Sequence, residues 1–417
     1  MLKKNRALVI ILVLMVCCVS LAADWPQYLG PNRNGISTET GIKRSWPDDG
    51  PEVLWTFPLG EGFGGAAVSD GKVYVLDRVS SEQDVLRCID LITGDELWTF
   101  AYDAPGEFDR NGSRSVPTIE GDYIYTCGAF GHVHCIDKNT HKVVWEKNVW
   151  TDFGGGEIPR WAITQNPLIY EDMLILASQT NEAGVVAYDK ITGDIRWTSP
   201  ALPGEVGYVS PKLINIEGDD QLAMVTANGP VVGMEIGTGK ILWSYNGWDC
   251  SIPIPNVTEI GDGRIFITGG YRAGSVMIRV EKEGGAFVVN ELYKVGYRDF
   301  GTHVHPAILY DGHLYGNTST NETREGMVCM DLDGNVKWKT KRLPLFDKGG
   351  FILVDGLFLA VDGNEGFLYL IEPDPEGFKQ LAKAKLLDTD VCWAPLALSD
   401  GKLLIRDQKQ MKCVVVK

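Results

Sequence analysis

The chain has 417 residues, with 39 lysines and arginines against 55 aspartates and glutamates, and a formal net charge of −16. Acidity of this size excludes a nucleic-acid binder and opposes adhesion to anionic lipid. Length alone would allow two or three domains, but no stretch shows helical periodicity, and the repeats described below decide the count.

The first element is a leader. Lys3, Lys4 and Arg6 precede an apolar run at residues 7–19, and small residues follow at Ser20, Ala22 and Ala23. This is the pattern of a secretory signal peptide over residues 1–23, cut near Ala22 or Ala23. The run is too short to span a bilayer comfortably. Cys17 or Cys18 would be the acceptor of a lipoprotein signal, for which the preceding Val16 and Cys17 are poor matches. Removing the leader leaves about 394 residues, a charge near −19 and no transmembrane span, for a monomer in a secreted or periplasmic setting. An arm follows at residues 24–51, and beyond it residues 52–417 read as a single domain.

That domain opens on Glu52-Val53-Leu54-Trp55-Thr56-Phe57, a strand carrying a tryptophan. A motif then recurs. It is an acidic residue, then Thr-Gly or a variant, then tryptophan eight residues after the acid. Copies run from Asp90 to Trp98, Asp137 to Trp145, Asp189 to Trp197 and Glu235 to Trp243, with a shorter one from Asp331 to Trp338. Successive tryptophans from Trp55 to Trp243 stand 43, 47, 52 and 46 apart, and the next gap of 95 holds two units, one degenerate. A second anchor places Pro or Gly five residues before Asp, as in Gly65/Asp70, Pro117/Asp122, Pro167/Asp172, Pro306/Asp311, Gly350/Asp355 and Pro395/Asp400, with looser turns at Asp219 and Asp262. Together these give eight units.

Within each unit, short alternating runs such as residues 72–76 are bounded by Asp-Gly turns, which predicts four strands per unit. Eight four-stranded antiparallel units at this period give an all-β, eight-bladed β-propeller. The last unit, residues 394–416, ends without its tryptophan strand, and the chain begins with one that lacks a blade. Pairing the two closes the ring and removes both open edges. The acid and Thr-Gly form a turn in which glycine takes positive φ, and the tryptophan packs on a neighbouring blade. Seven cysteines follow the leader, and Cys88, Cys135, Cys329 and Cys413 share one slot in the third strand. That slot predicts a small buried residue. The odd number and the lack of CxxC pairs argue against both a disulfide framework and a zinc site.

These copies resemble the tryptophan-docking motif of the PQQ-like (pyrroloquinoline quinone-type) propellers. That superfamily includes quinoprotein dehydrogenases and the barrel-assembly lipoprotein of the outer membrane. The resemblance covers residues 52–417, and residues 24–35 also look like the start of secreted members. It speaks to fold, because the motif serves blade packing and not chemistry.

Chemistry is expected where the loops before each first strand meet at one mouth of the channel. These carry Arg110, Arg114, Arg160, Trp161, Tyr208, Trp248, Asp249, Arg298, Asp299, His303, His305, Asp347, Lys348, Asp390 and Trp393. From them the sequence predicts a funnel rimmed by Arg114, Arg160, Trp161, Tyr208, Trp248, Arg298, His303 and Trp393, with Asp249, Asp299 and Asp390 as charge partners. Inter-blade ion pairs and wall packing are the plain alternative for the same residues. His303-Val-His305 and His132-Val-His134 have the spacing of two ligands on one strand face, but neither has a third ligand nearby in sequence, so no metal is assigned.

Two functions remain open. One is a non-catalytic scaffold that binds a protein, carbohydrate or polymer at the funnel, with no cofactor. The other is a quinoprotein oxidoreductase using PQQ and calcium. The resemblance implies that such enzymes carry a disulfide between adjacent cysteines and long insertions around the site. The only adjacent pair here is Cys17-Cys18, in the leader, and insertions are nearly absent. The sequence therefore favours the scaffold.

Overall fold

Asp70 and Gly71 both take positive φ, 51° and 69°, and so do Asp311/Gly312, Asp355/Gly356 and Asp400/Gly401. Two successive positive-φ residues make the tight turn whose twist matches paired antiparallel strands. Each such turn joins the innermost strand of a blade to the second. In the fourth blade it falls at Glu217-Gly218, not at Asp219. The computed structural model describes residues 24–417, and the leader read at 1–23 lies outside the described residues.

Eight four-stranded antiparallel sheets result. Blades 1 to 7 occupy residues 66–103, 118–148, 168–198, 212–245, 258–295, 308–339 and 351–385. Blade 8 joins residues 397–415 to the strand Val53–Pro58, with Trp55 opposite Cys413 and Pro58 opposite Gln410. The ring is thus closed by the N-terminal strand. A single 3-10 turn, Thr151–Phe153, is the only helical segment among the described residues.

The same register recurs between third and fourth strands. Cys88 faces Trp98, Cys135 faces Trp145, Ala187 faces Trp197, Gly233 faces Trp243, Cys329 faces Trp338 and Cys413 faces Trp55, each next to a bulge. Blade 5 puts Tyr293 in the tryptophan slot opposite Met277, and blade 7 puts Ala382 opposite Leu370. A small partner lets the indole lie flat and reach the next blade. Trp55 Nε1 donates to the Leu91 carbonyl at 2.9 Å, Trp145 Nε1 to Lys190 at 3.1 Å and Trp338 Nε1 to Asp374 at 2.7 Å. Each acceptor belongs to the acid-led turn of the following blade. Asp90 Oδ1 shapes that turn by accepting from the Ile92 and Thr93 amides. Gly94 is required there, because a Cβ would enter the Trp55 ring at 2.5 Å. In blade 2 the glycine is replaced by His141, which takes positive φ and stacks on Trp98 with centroids 4.4 Å apart. All seven described cysteines are free and buried.

The arm fills the channel from its turn end. Trp25 is fully buried and exchanges two backbone hydrogen bonds with Val68 of blade 1. The Pro26 carbonyl accepts from Ile119 of blade 2. Ile36–Ser37 adds a parallel fifth strand to blade 7, and Glu39 accepts from Gly401 of blade 8 at 2.7 Å. Arg33, 4% exposed, donates to the carbonyls of Pro167 (2.8 Å) and Asn166 (3.2 Å), while Lys212 donates to the Arg33 carbonyl at 3.0 Å. Neither cation has a carboxylate partner among the described residues. Burial holds Arg33 down to about 10 and Lys212 down to about 8.

Candidate functional site

With one end sealed, the channel is a cup. Its cavity of about 550 Å³ opens at the loops that lead into the innermost strands. Tyr28 of the arm lines it from below, and Asn166, Ser210 and Asn256 line the wall. Around the rim stand Arg110, Arg114 and Arg160, with the aromatic rings of Phe63, Trp161, Tyr208, Tyr271 and Trp393, and Lys348 is buried deeper in the wall. Asp109 is the one carboxylate in the lining. A chain of net charge −16 therefore concentrates positive charge at its axis.

The cations are held on aromatic rings. The Arg110 guanidinium lies 4.7 Å from the centroid of Trp393 and Lys348 Nζ lies 4.8 Å from it, while Arg160 lies 5.1 Å over Trp161. Such contacts fix a cation's plane without neutralising it. Trp393 Nε1 in turn donates to Asp347 at 3.2 Å, and Trp161 meets Tyr208 edge-on at 5.6 Å. Arg160 bonds Asp109 at 2.7 Å, joining the loop before blade 3 to the loop before blade 2. Arg114 has a different task. Its Nη atoms donate to the carbonyls of Gly112, Asp109 and Arg110, so it braces the loop that presents Arg110, and burial holds its pKa down to about 10.

His303 and His305 are both buried in the wall. Burial, then Lys348 and Arg110, push His303 down to about 3, and burial pushes His305 down to about 4. Both are neutral at physiological pH. His305 Nε2 bonds the Trp393 carbonyl at 2.9 Å, and the His303 ring packs on Tyr271 at 4.8 Å.

The structure brings together Arg114, Arg160, Trp161, Tyr208, His303 and Trp393 of the sequence-predicted funnel, and three of its members fall elsewhere. Trp248 is 5% exposed, packed between blades 4 and 5 with its Nε1 toward the Gly274 carbonyl, because the loop after blade 4 turns it inward as a core residue. Asp249 beside it is exposed and outside the cup. Arg298 lines a separate cleft further out. The expected charge partners are also corrected. Asp299 pairs with Lys339 at 2.9 Å, Asp390 lines a third cavity, and the acid that reaches a cup arginine is Asp109.

Sequence reasoning missed Tyr28, Phe63, Asp109 and Tyr271. Phe63 sits just before the first strand of blade 1, so the repeat register could have found it. Tyr271 comes from the loop between second and third strands, at a positive φ of 53° that aims it at His303. Tyr28 lies in the arm, which has no repeat to align.

A PQQ-calcium pair would need oxygen ligands that this lining does not supply. Calcium takes six to eight oxygen ligands, carboxylates foremost. The one lining carboxylate is engaged by Arg160, and among the described residues no group of three His, Cys, Asp or Glu could hold a metal ion. The rim cations would repel a divalent ion. The residues present do not fit that pair.

Docked blades around an axial cup define the protein's class as a PQQ-type propeller. A family model described as "Outer membrane protein assembly factor BamB" matches residues 81–340, well over half of the chain, and the protein belongs to that family. Among curated relatives, the quinoprotein ethanol dehydrogenase of Pseudomonas aeruginosa is 29% identical over 246 residues, covering 55% of this chain and 37% of the enzyme. The outer membrane protein assembly factor BamB of Shewanella oneidensis is 28% identical over 169 residues, covering 40% of this chain and 41% of that protein. The chain thus spans about two fifths of the length of these relatives. In structure it is similar to a europium-containing methanol dehydrogenase (TM-score 0.64, 15% identity, 94% of this chain and 89% of that one). It is also similar to BamB from Moraxella catarrhalis (TM-score 0.57, 12% identity, 87% and 99%). At these identities the structural likeness establishes the propeller fold.

Proposed function

We propose that the protein is an exported, non-catalytic binding propeller that captures its ligand in the axial cup. The observation that carries this reading is the convergence, on a cavity closed from below, of Arg110, Arg160, Lys348, Trp161 and Trp393 from the loops of four different blades. They line a common space of the size that suits a small ligand or one end of a polymer. The wall histidines are neutral and buried against Tyr271 and the Trp393 carbonyl, which suits support better than proton transfer. Export rests on the basic start and apolar run of the leader. The match to assembly factors supports a scaffold that works with partners and needs no cofactor.

The second reading, a quinoprotein oxidoreductase, is favoured by the dehydrogenase relatives alone. Native mass spectrometry and absorbance of the purified protein, followed by dye reduction with alcohols or aldoses after addition of PQQ and calcium, separate the two. We expect no bound quinone and no turnover. A stoichiometric quinone or robust turnover reverses the order. For the cup itself, a thermal-shift screen should yield compounds whose effect disappears in Trp161→Ala, and a screen whose hits are indifferent to Trp161 refutes it.

A further inference from the structure

The cup does not stand alone. Beside it lies a cleft of about 830 Å³, and Asn321 lines both. The cleft is walled by Arg298, Arg324, Lys341 and Arg342 together with Glu322 and Glu325. Both acids are partly engaged within the protein. Glu322 accepts from the Thr320 hydroxyl at 3.0 Å, and Glu325 faces Lys339 at 3.8 Å. No carboxylate of the described residues lies in ion-pairing distance of the four cations. On the other side, Phe63 and Arg110 are shared with a cavity of about 540 Å³ lined by Glu61, Asp388 and Asp390 together with Lys409. The three cavities thus run together across the mouth, basic through the outer cleft and centre and weakly acidic at the far end.

Resting on the reading of the cup as a binding site, we infer that the ligand is a short chain of carboxylated sugars, with one ring in the cup and the following rings over the basic cleft. Three observations select this chemistry. Arg110, fixed on Trp393, has no side-chain hydrogen-bond partner among the described residues, and Arg160, bound to Asp109 through Nε, keeps its Nη groups free; such planar N–H groups match carboxylates. Cations already lie over Trp161 and Trp393, one on the first and two on the second, which leaves less ring face for a ligand bound by flat stacking, such as a nucleobase. The hydroxyls of Tyr28 and Tyr271 line the cup without a side-chain partner among the described residues, and burial holds Tyr271 protonated with a pKa of about 12, as a neutral donor for sugar hydroxyls. The acidic cavity sets the direction, because a polyanion extends away from it.

The test is isothermal titration of the full-length mature protein with trigalacturonate, galacturonate, neutral galactotriose, hexaglutamate and a hexameric RNA. The trimer should bind about tenfold tighter than either the monomer or the neutral trimer, the size of one charge-assisted bond pair. Arg324→Ala with Arg342→Ala should bring the trimer to the level of the monomer and leave the monomer unchanged. Both residues are exposed, so an unchanged melting curve certifies the variant. Arg110→Ala should weaken monomer and trimer together, and Asp390→Asn should weaken neither. Equal binding of the neutral trimer, or tighter binding of hexaglutamate or RNA, overturns the inference while leaving a ligand cup in place. Failure of all five probes alongside Trp161-dependent hits in the thermal screen also overturns it alone, whereas failure of both experiments removes the cup as well.

Discussion

The floor and the mouth of the channel are both lined by cations, yet these do opposite things; at the mouth Arg160 pairs with Asp109 and Lys348 lies 3.5 Å from Asp347, whereas Arg33 and Lys212 at the floor have no carboxylate partner among the described residues. At the floor, Arg33 and Lys212 are buried and spend their donors on backbone carbonyls of the arm and of blade 3. At the mouth, Arg110 and Arg160 rest on indole rings in reach of solvent, and Lys348 rests on one deeper in the wall. The difference is one of satisfaction. A buried donor that already has acceptors is architecture, and its removal strands those acceptors. A donor poised on a ring face has capacity left for a ligand, and its removal costs the fold little.

The largest expected effect strikes floor and ring together. Deleting residues 411–417 removes the partner of Val53–Pro58 and the Val416 carbonyl that anchors Lys43 of the arm at 2.9 Å. Two sheet edges and the seam core around Trp55 and Val414 are exposed at once. The truncated protein should lose its cooperative melt or fall well below the parent. Calorimetry showing an unchanged transition contradicts closure at this seam.

Next in size is Arg33→Ala. It leaves the buried Asn166 carbonyl unpaired and the Pro167 carbonyl with the Thr118 hydroxyl alone, for a loss of about 1–3 kcal/mol by denaturant titration. Against it, Arg110→Ala should change stability by less than about 1 kcal/mol while weakening ligand capture. Equal stability losses in the two variants would erase the distinction between floor and mouth.

How far the chain could be read in advance follows the same division. The ring was legible because the turn glycines, the tryptophans and the small residues facing them recur at one period. Even His141 in place of a glycine did not hide its copy, since Asp137 and Trp145 frame it. The mouth was legible by position only. Equivalent loop positions do converge, which gathered Arg160, Trp161, Tyr208 and Trp393. Position does not say which way a loop side chain turns, so Trp248 went into the core and Arg298 into the outer cleft. The floor was closed to periodicity altogether. Arg33 and Tyr28 act through contacts to partners far away in the chain, and a single non-repeating segment carries no register from which to infer them.

The smallest effect separates the two ends by pH. His303 and His305, in the wall of the cup, are depressed from an ordinary 6.5 to about 3 and about 4 by burial, with Lys348 and Arg110 adding to the shift of His303. Below pH 6.5 the unfolded chain takes up protons that these sites refuse, so stability present above that value is lost progressively as pH falls toward 4. His132 and His134, between blades 1 and 2, are also lowered by burial, His134 to about 4, so both contribute to the same limb and must be corrected for with their own variants. Lys212, at the floor, is depressed from 10.5 to about 8, with Glu259 partly opposing the effect of burial and of Arg33. Between pH 8 and 10 this group by itself makes the unfolded chain bind more protons than the folded one, a contribution that rises with pH as the burial penalty on the ammonium is relieved. The seven buried cysteines, raised by burial from 9.0 to about 11 or about 12, act in the opposite sense over the same window and outnumber it. Melting temperatures should therefore rise with pH along the acid limb and fall along the alkaline one, with Lys212 making that fall shallower. His303→Phe should make the acid limb shallower and leave the alkaline one, and Lys212→Met should make the alkaline fall steeper and leave the acid limb. An alkaline limb unchanged by Lys212→Met would mean that the floor ammonium is already hydrated, and that the arm does not seal the channel as its contacts imply.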